Sequence, residues 1–97
     1  MTHYTYENVS NALGNCAKHW QWKDGALYAQ FTFLDFTKAF AFMTKVAEVA
    51  EQLNHHPDWQ NSYNRVAISL CTHDKNAVTE LDVALAKEIS VLAKALR

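Results

Sequence analysis

The alternation of apolar and polar residues predicts a helix followed by a β-hairpin in the first third of the chain. Apolar residues three and four positions apart favour a short helix over residues 7–18, although Gly14 interrupts it. Residues 27–33 then alternate between apolar and polar side chains, as a half-buried strand does. Together with residues 20–22 on the other side of an Asp24-Gly25 turn, they predict two antiparallel strands.

A long helix is predicted over residues 36–53. Asp35 is a typical N-cap, and Pro57 disfavours helical geometry soon after Asn54. The helix carries more apolar residues than one sheet face requires, and they fall into two sets. The first set is Phe36, Phe40, Met43, Ala47, Ala50 and Leu53, and the second is Phe42, Val46 and Val49. We therefore expect this helix to be either deeply buried or in contact with another subunit.

The rest of the chain predicts a second hairpin and a final helix. Residues 59–63 and 66–71 form the two strands, joined by Asn64-Arg65. Thr79 and Asp82 have the spacing of a capping box. The helix that they open has the apolar face Leu85, Ile89, Leu92 and Leu96. The order α-β-β-α-β-β-α implies a single α+β domain over residues 1–97, with a four-stranded antiparallel sheet and helices packed on one face.

The composition excludes several classes of function. Nine Lys and Arg against ten Asp and Glu give a formal net charge of −1 without a basic stripe, which disfavours nucleic-acid binding. Residues 1–20 are polar, and no apolar run is long enough to cross a bilayer. We therefore expect no signal peptide, no membrane partner and a cytoplasmic location. Cys16 and Cys71 are expected to be reduced thiols, with Cys71 buried in its strand.

Three of the five histidines lie between residues 51 and 82, in a segment that begins and ends with a carboxylate, and this clustering suggests acid/base chemistry. The candidate residues are Glu51, His55, His56, His73 and Asp82. Histidine exchanges protons near neutral pH, because its unperturbed pKa is about 6.5. Adjacent side chains at His55 and His56 point apart by about 100° if they are helical, so a shared metal ion is the weaker hypothesis. His73 is in phase with the outward-facing residues of its strand.

Each candidate residue also has a purely structural explanation. Glu51 fits a solvated last helical turn, Pro57 fits a helix stop, and Trp59 fits the core. Asp82 has the strongest such explanation, because a carboxylate at the third position of a helix completes a capping box without any catalysis. Spacing alone therefore leaves the function open.

The histidine motif is part of a longer pattern that a known family shares. The matching segments are Leu53-Asn54-His55-His56-Pro57-Asp58-Trp59, Tyr63-Asn64-Arg65-Val66, Thr72-His73 and Asp82. This E-x3-H-H-P pattern, followed by Tyr, T-H and Asp, closely resembles the pterin-4a-carbinolamine dehydratases from about residue 20 to residue 96. The resemblance implies the same α-β-β-α-β-β-α domain. It also implies conversion of 4a-hydroxytetrahydropterin to quinonoid dihydropterin and water, in tetrahydrobiopterin recycling, without a metal or cofactor.

The same resemblance implies a role for each candidate residue. His55 and His73 are candidate acids on either side of carbon 4a, where they could serve the two stereoisomers of the hydroxyl group. His56 would hold and orient the pterin, while Glu51 and Asp82 position or polarise their neighbours. The catalytic candidates are therefore His55, His56, His73 and Asp82, and the substrate-binding candidates are Glu51, His56, Pro57 and Trp59.

Two departures from the family pattern and several alternatives accompany the resemblance. Leu81 stands where many relatives have an arginine, and the similarity fades before Trp20.

The resemblance implies a homodimer or homotetramer and a functional link to an aromatic amino-acid hydroxylase, which would supply the substrate. The alternatives are a dimerisation cofactor for a transcription factor, a protein that handles a molybdopterin-related pterin, and a hydrolase with a histidine-bound metal.

Overall fold

A four-stranded antiparallel sheet and two long helices form the body of the protein. The computed structural model describes residues 2–97. In chain order the elements are β1 (His3–Tyr4), α1 (Val9–Leu13), a first 3₁₀ helix (Gly14–His19), β2 (Gln21–Lys23), β3 (Ala26–Thr32), α2 (Phe36–Leu53), β4 (Asp58–Ser62), β5 (Arg65–Leu70), a second 3₁₀ helix (His73–Lys75), β6 (Val78–Thr79) and α3 (Glu80–Leu96). The predicted α+β class and its four-stranded sheet are confirmed.

The main sheet has the strand order β2-β3-β5-β4. Asp24 and Gly25 both have positive φ, 53° and 75°, as a two-residue type I′ turn requires. The predicted turn therefore joins β2 to β3, with Lys23 paired to Ala26. A separate two-stranded sheet, in which β1 pairs with β6, was not predicted from the sequence.

The second hairpin turns one residue earlier than predicted. Ser62 pairs with Arg65, which leaves Tyr63 and Asn64 in the turn. Tyr63 takes a φ of 52° there. The Asn64 side chain donates a hydrogen bond to the backbone carbonyl of Phe33 at 3.0 Å. The backbone carbonyl of Asn64 accepts one from the Phe33 N–H at 2.8 Å. This two-way contact with the end of β3 fixes the turn at Tyr63-Asn64.

The core lies between the inner face of the sheet and helices α2 and α3. Alternate residues of the two central strands are buried there: Leu27, Ala29, Phe31, Val66, Ile68 and Leu70. From α2, the Phe42 ring packs 5.5 Å from Phe31 and 4.8 Å from Phe33, measured between centroids. From α3, Leu85 and Ile89 are fully buried. Both long helices therefore cover one face of the sheet, as predicted.

The predicted first helix is only partly present. The α-helical segment is Val9–Leu13, and the chain continues from Gly14 as a 3₁₀ helix. Gly14 has a φ of 64°, outside the α-helical region, so it ends α1 where the prediction carried the helix to residue 18.

The face of α2 that meets the core is not the first apolar set predicted from the sequence. The buried residues are Ala39, Phe42, Val46 and Ala50, of which Phe42 and Val46 come from the second set, Ala50 from the first set and Ala39 from neither. Phe36 and Phe40 remain about half exposed, at 47% and 55% of their surface. The reason is that Phe42 fills the space against Phe31 and Phe33, which places Phe36 and Phe40 on the outer side of the helix. Contact of this exposed side with another subunit stays a prediction.

The ends of the long helices follow the predicted caps. The Asp35 side chain accepts a hydrogen bond from the Lys38 N–H at 2.9 Å, and α2 ends at Asn54 in the left-handed conformation. Thr79 and Asp82 form the predicted capping box of α3. In the part of the chain that the structure describes, none of the helices combines the length and the apolar character that a bilayer crossing requires.

Candidate active site

The fold brings four chain segments together at one end of the molecule. The end of α2 and the loop after it carry Glu51, His55 and His56, while α3 begins near Asp82. Strands β4 and β5 are antiparallel, so the start of β4 at Asp58 lies beside the end of β5, which leads to His73. Each of the three predicted histidines contacts a different carboxylate at this end.

The His55–Asp82 pair is buried. His55 Nε2 lies 2.5 Å from Asp82 Oδ1, and the two residues expose 8% and 0% of their surface. The other oxygen, Asp82 Oδ2, accepts hydrogen bonds from the Thr72 hydroxyl at 2.8 Å and the Thr79 N–H at 2.9 Å. Asp82 is thus a helix cap and a histidine partner at once. The structural explanation given by the sequence is correct but incomplete.

The backbone turn after α2 directs His55 towards this carboxylate. Asn54 has a φ of 51°, which turns the chain out of the helix, and the His55 N–H donates to the Ala50 carbonyl at 3.0 Å. The N–H group that follows the left-handed residue therefore satisfies a carbonyl of the last helical turn. As a result the His55 ring is held against the start of α3, while the ring of the next residue, His56, is exposed.

The other two histidine–carboxylate pairs lie at the surface. His56 Nε2 is 2.5 Å from Glu51 Oε2, and His73 Nε2 is 2.9 Å from Asp58 Oδ2. All four side chains are more than half exposed. Such surface pairs contribute little to folding stability.

All three rings use the Nε2 atom for the carboxylate. Within residues 2–97, every buried side-chain nitrogen or oxygen has a hydrogen-bond partner. The Nδ1 atom of His55 makes no such contact in that part of the chain, so it must reach the protein surface. The carboxylates thereby orient the rings through Nε2 and make no contact with Nδ1. One buried and two exposed histidines can therefore present proton-exchanging atoms at the same end of the fold.

Two of the predicted binding residues have a less direct position. Trp59 is half-buried and packs against the hydrophobic core, opposite Ile68 in the sheet, which is the core position that its structural explanation foresaw. Pro57 is half-buried between His56 and the start of β4. Leu81, in the first turn of α3, is half-buried, and only its backbone N–H bonds to the cap, donating to Thr79 Oγ1 at 3.3 Å.

Sequence reasoning missed two residues of this end of the molecule, Asp58 and Thr72. Asp58 was quoted in the motif without a role, yet it holds His73. An available signal was the hairpin itself, because an acidic residue opening one strand lies beside the end of its antiparallel partner. Thr72 binds Asp82 and also contacts Thr79 Oγ1 at 2.7 Å, a contact that nothing in the local sequence indicated.

Cys71 lies close to this cluster but is not activated. Burial raises the pKa of the Cys71 thiol, and the charges of Asp82 and then Asp58 raise this pKa further, against a smaller lowering by a backbone hydrogen bond with Ala77. The thiol is therefore protonated at neutral pH. Both cysteines are free thiols, as expected, although Cys71 is half-buried and lies just beyond β5. Across residues 2–97, no three His, Cys, Asp or Glu side chains converge as a metal site would require.

Comparison with known proteins identifies the family. A family model described as pterin 4 alpha carbinolamine dehydratase matches residues 2–92. A relative from Synechococcus sp. (strain WH7803) is 51% identical over 86 residues, which cover 89% of this chain and 92% of that protein. One from Brucella ovis is 49% identical over 89 residues, covering 90% and 92%. Both names assign a pterin-4-alpha-carbinolamine dehydratase only provisionally.

Two solved structures are also similar to this chain. A crystal structure described as a transcriptional coactivator/pterin dehydratase from Brucella melitensis superposes with a TM-score of 0.86 at 41% identity, over 95% of this chain and 99% of that one. A pterin dehydratase-like protein identified as a RuBisCO assembly factor in the alpha-carboxysome gives a TM-score of 0.63 at 25% identity, over 76% and 86%. With the match of the family model to nearly the whole chain, these likenesses show that the chain belongs to the pterin 4 alpha carbinolamine dehydratase family.

Proposed function

We propose that this protein is a dehydratase that converts 4a-hydroxytetrahydropterin to quinonoid dihydropterin and water. The observation that carries the proposal is the set of three histidine rings at one end of the fold, each held by its own carboxylate. Membership of the family supports the pterin as substrate. A cytoplasmic location and a link to an aromatic amino-acid hydroxylase belong to the same proposal and stay predictions.

The reaction needs one proton delivered and one removed. The bond between carbon 4a and the hydroxyl oxygen breaks, and the oxygen takes a proton and leaves as water. The electron pair of the adjacent ring nitrogen forms the new carbon–nitrogen double bond, and that nitrogen loses its own proton. Positioned acids and bases contribute about 10²–10⁴ each to the rate of such steps. Imidazole groups suit both tasks near neutral pH.

The proposed roles follow the resemblance to the family, and the observed carboxylate contacts add a positioning residue for each histidine. His55 and His73 act as acids for the two faces of the pterin, with Asp82 and Asp58 as positioning residues that fix their rings. His56, held by Glu51, binds and orients the substrate. Because each carboxylate accepts a hydrogen bond at Nε2, the opposite ring atom Nδ1 is the one that meets the substrate.

A hydroxylase-coupled assay tests this proposal. An aromatic amino-acid hydroxylase generates 4a-hydroxytetrahydropterin in place, and the appearance of quinonoid dihydropterin is followed by absorbance with and without this protein. We expect acceleration over buffer that a chelator does not reduce. His55→Ala and His73→Ala should each lose activity mainly towards one stereoisomer, and the double variant should lose far more than either single one.

His3→Ala is the matched control, because His3 lies in β1, outside the three pairs. It should keep full activity. No acceleration over buffer, or activity abolished by the chelator, would contradict the proposal, and the latter would favour the metal hydrolase. Equal losses towards both stereoisomers in His55→Ala, His56→Ala and His73→Ala would leave the reaction in place but refute the division of roles.

A further inference from the structure

A cleft outside the histidine cluster lies between the first 3₁₀ helix and the C-terminal half of α3. Its volume is about 530 Å³, and none of its lining residues belongs to the three histidine pairs. Such a volume is typical of sites for small organic molecules. One wall is anchored by Trp20, whose Nε1–H donates to the Ser90 hydroxyl at 2.9 Å, while Ser90 donates in turn to the Ala86 carbonyl at 2.8 Å. The cleft is therefore preformed.

The cleft concentrates positive charge. Lys18, Lys87, Lys94 and Arg97 line it, and no carboxylate side chain does. These are four of the nine Lys and Arg residues, so the other five stand against all ten Asp and Glu. Within residues 2–97, the Lys and Arg side chains form a single ion pair with a carboxylate, and it lies elsewhere, between Lys45 and Glu48. The four cations of the cleft thus have unused capacity for an anion.

A structural explanation covers only part of this arrangement. Lys94 and Arg97 complement the negative end of the α3 dipole, as cations near a helix C-terminus do. Lys87 lies too far from that end for the same effect, which fades within the last turn. Arg97 is also held in place by the Phe31 ring, with its guanidinium 5.7 Å from the ring centroid. The charges converge on the cleft rather than on the helix end alone.

The cleft also has apolar lining. Leu13 forms part of it, and Val91 lies between the two lysines of α3 with 65% of its surface exposed. Lys87, Val91 and Lys94 follow the four- and three-residue spacing of one helix face, so the apolar residue and the charges point into the same space. A ligand that fits both would carry negative charges and an apolar body.

We propose that this cleft binds a small organic phosphate with at least two negative charges and an apolar or aromatic body. Lysine and arginine are the side chains that bind phosphate groups, and four of them here suit a doubly charged group better than a single carboxylate. A long nucleic acid would extend beyond the cleft over the rest of the protein, where ten acidic residues stand against five basic ones. The charge distribution therefore favours a ligand that ends within the cleft.

The test uses adenosine diphosphate as the probe, with adenosine and inorganic pyrophosphate beside it, and the whole ¹⁵N-labelled chain observed by NMR. We expect ADP to shift the amide signals of residues 13–19 and 87–97 in a saturable way. Adenosine, which lacks the charges, and pyrophosphate, which lacks the apolar body, should each bind at least about tenfold more weakly. Lys87→Glu with Lys94→Glu should weaken ADP binding by about tenfold or more.

Lys38→Glu with Lys45→Glu is the control, because it changes the net charge equally on the exposed side of α2, away from the cleft. It should leave ADP binding unchanged, and the cleft variant should keep the dehydration rate. Failure of ADP to shift any amide at millimolar concentration would overturn the proposal. Equal weakening in both double variants, or shifts confined to the histidine cluster, would overturn it as well.

Discussion

Replacing Asp82 by asparagine separates the two tasks of this residue. The new side chain would keep one oxygen near the position of Oδ2, where it can still accept from the Thr79 N–H and the Thr72 hydroxyl. Its NH₂ group would face His55 Nε2 in place of the Oδ1 acceptor. Two donors cannot bond to each other, so the His55 ring must either change its tautomer or move. The helix cap is preserved, whereas the group that faces His55 Nε2 changes from a hydrogen-bond acceptor to a donor.

The expected loss of stability is modest. A hydrogen bond to a charged group is worth about 1.5–3 kcal/mol and a neutral one about 0.5–1.5, so Asp82→Asn should cost about 1–2 kcal/mol. Asp82→Ala should cost more, about 3–5 kcal/mol, because it removes the cap and leaves the Thr79 N–H and His55 Nε2 buried without their partner. Urea unfolding of the two variants measures this difference.

The expected loss of activity is larger than the loss of stability alone would cause. If His55 depends on Asp82 for its orientation, the asparagine variant should lose about 10²-fold in turnover, within the range that a positioned acid contributes. The hydroxylase-coupled assay measures this at a temperature where urea unfolding shows the variant to be folded. The loss should concern mainly the stereoisomer that His55→Ala also fails to process.

A matched control is available at the start of α2. Asp35 is also an N-cap aspartate, accepting from the Lys38 N–H at 2.9 Å, but it contacts none of the three histidines. Asp35→Asn should reduce stability slightly and leave turnover unchanged. If Asp82→Asn behaves in the same way, with stability reduced and turnover intact, Asp82 is only a helix cap and the proposed role of His55 loses its support.

Three further predictions concern other parts of the molecule. In a Cys16→Ser background, iodoacetamide should label Cys71 slowly at neutral pH, because the raised pKa of the Cys71 thiol leaves little thiolate. Asp58→Asn should lower that pKa and speed the labelling at a given pH. Asp58→Asn should also reduce turnover towards the stereoisomer that depends on His73, as measured in the coupled assay. Light scattering should give at least twice the monomer mass of 11.1 kDa, and Phe40→Glu should reduce that mass if the exposed side of α2 is an interface.

The sequence predicts the elements of this fold well because their signals are local. The Asp24-Gly25 turn, the Asp35 cap and the Thr79–Asp82 capping box each depend on residues within a few positions of one another. The buried face of α2 could not be predicted in the same way. Two neighbouring apolar sets satisfy the same helical period, and the buried face depends on how Phe42 packs against Phe31 and Phe33 on the sheet, which the helical period does not show.

In the site, too, residue identities can be predicted from the local sequence, whereas most of the contacts between them cannot. The three histidines stand out from composition and motif, but their partners come from distant segments: Asp82 is 27 residues from His55, and Asp58 is 15 from His73. Only the pairing of Glu51 with His56, five residues away, can be expected from positions close in the sequence. Asp82 is a candidate from the cluster and gains its role from the resemblance, whereas Asp58 has no predicted role, because its pairing requires the register of β4 on β5.

The different burial of the three pairs has a consequence for how a substrate would react. The His55–Asp82 pair is shielded and cross-linked to the α3 cap, so its geometry is fixed before any ligand arrives. The two exposed pairs are surrounded by water, in which their electrostatic interactions are weak. In the proposed reaction, a flat pterin ring between His55 and His73, oriented by His56, would displace that water and strengthen both exposed pairs. The buried pair would then hold a fixed position against which the substrate is aligned. The exposed pairs would be shielded from water only when the substrate binds.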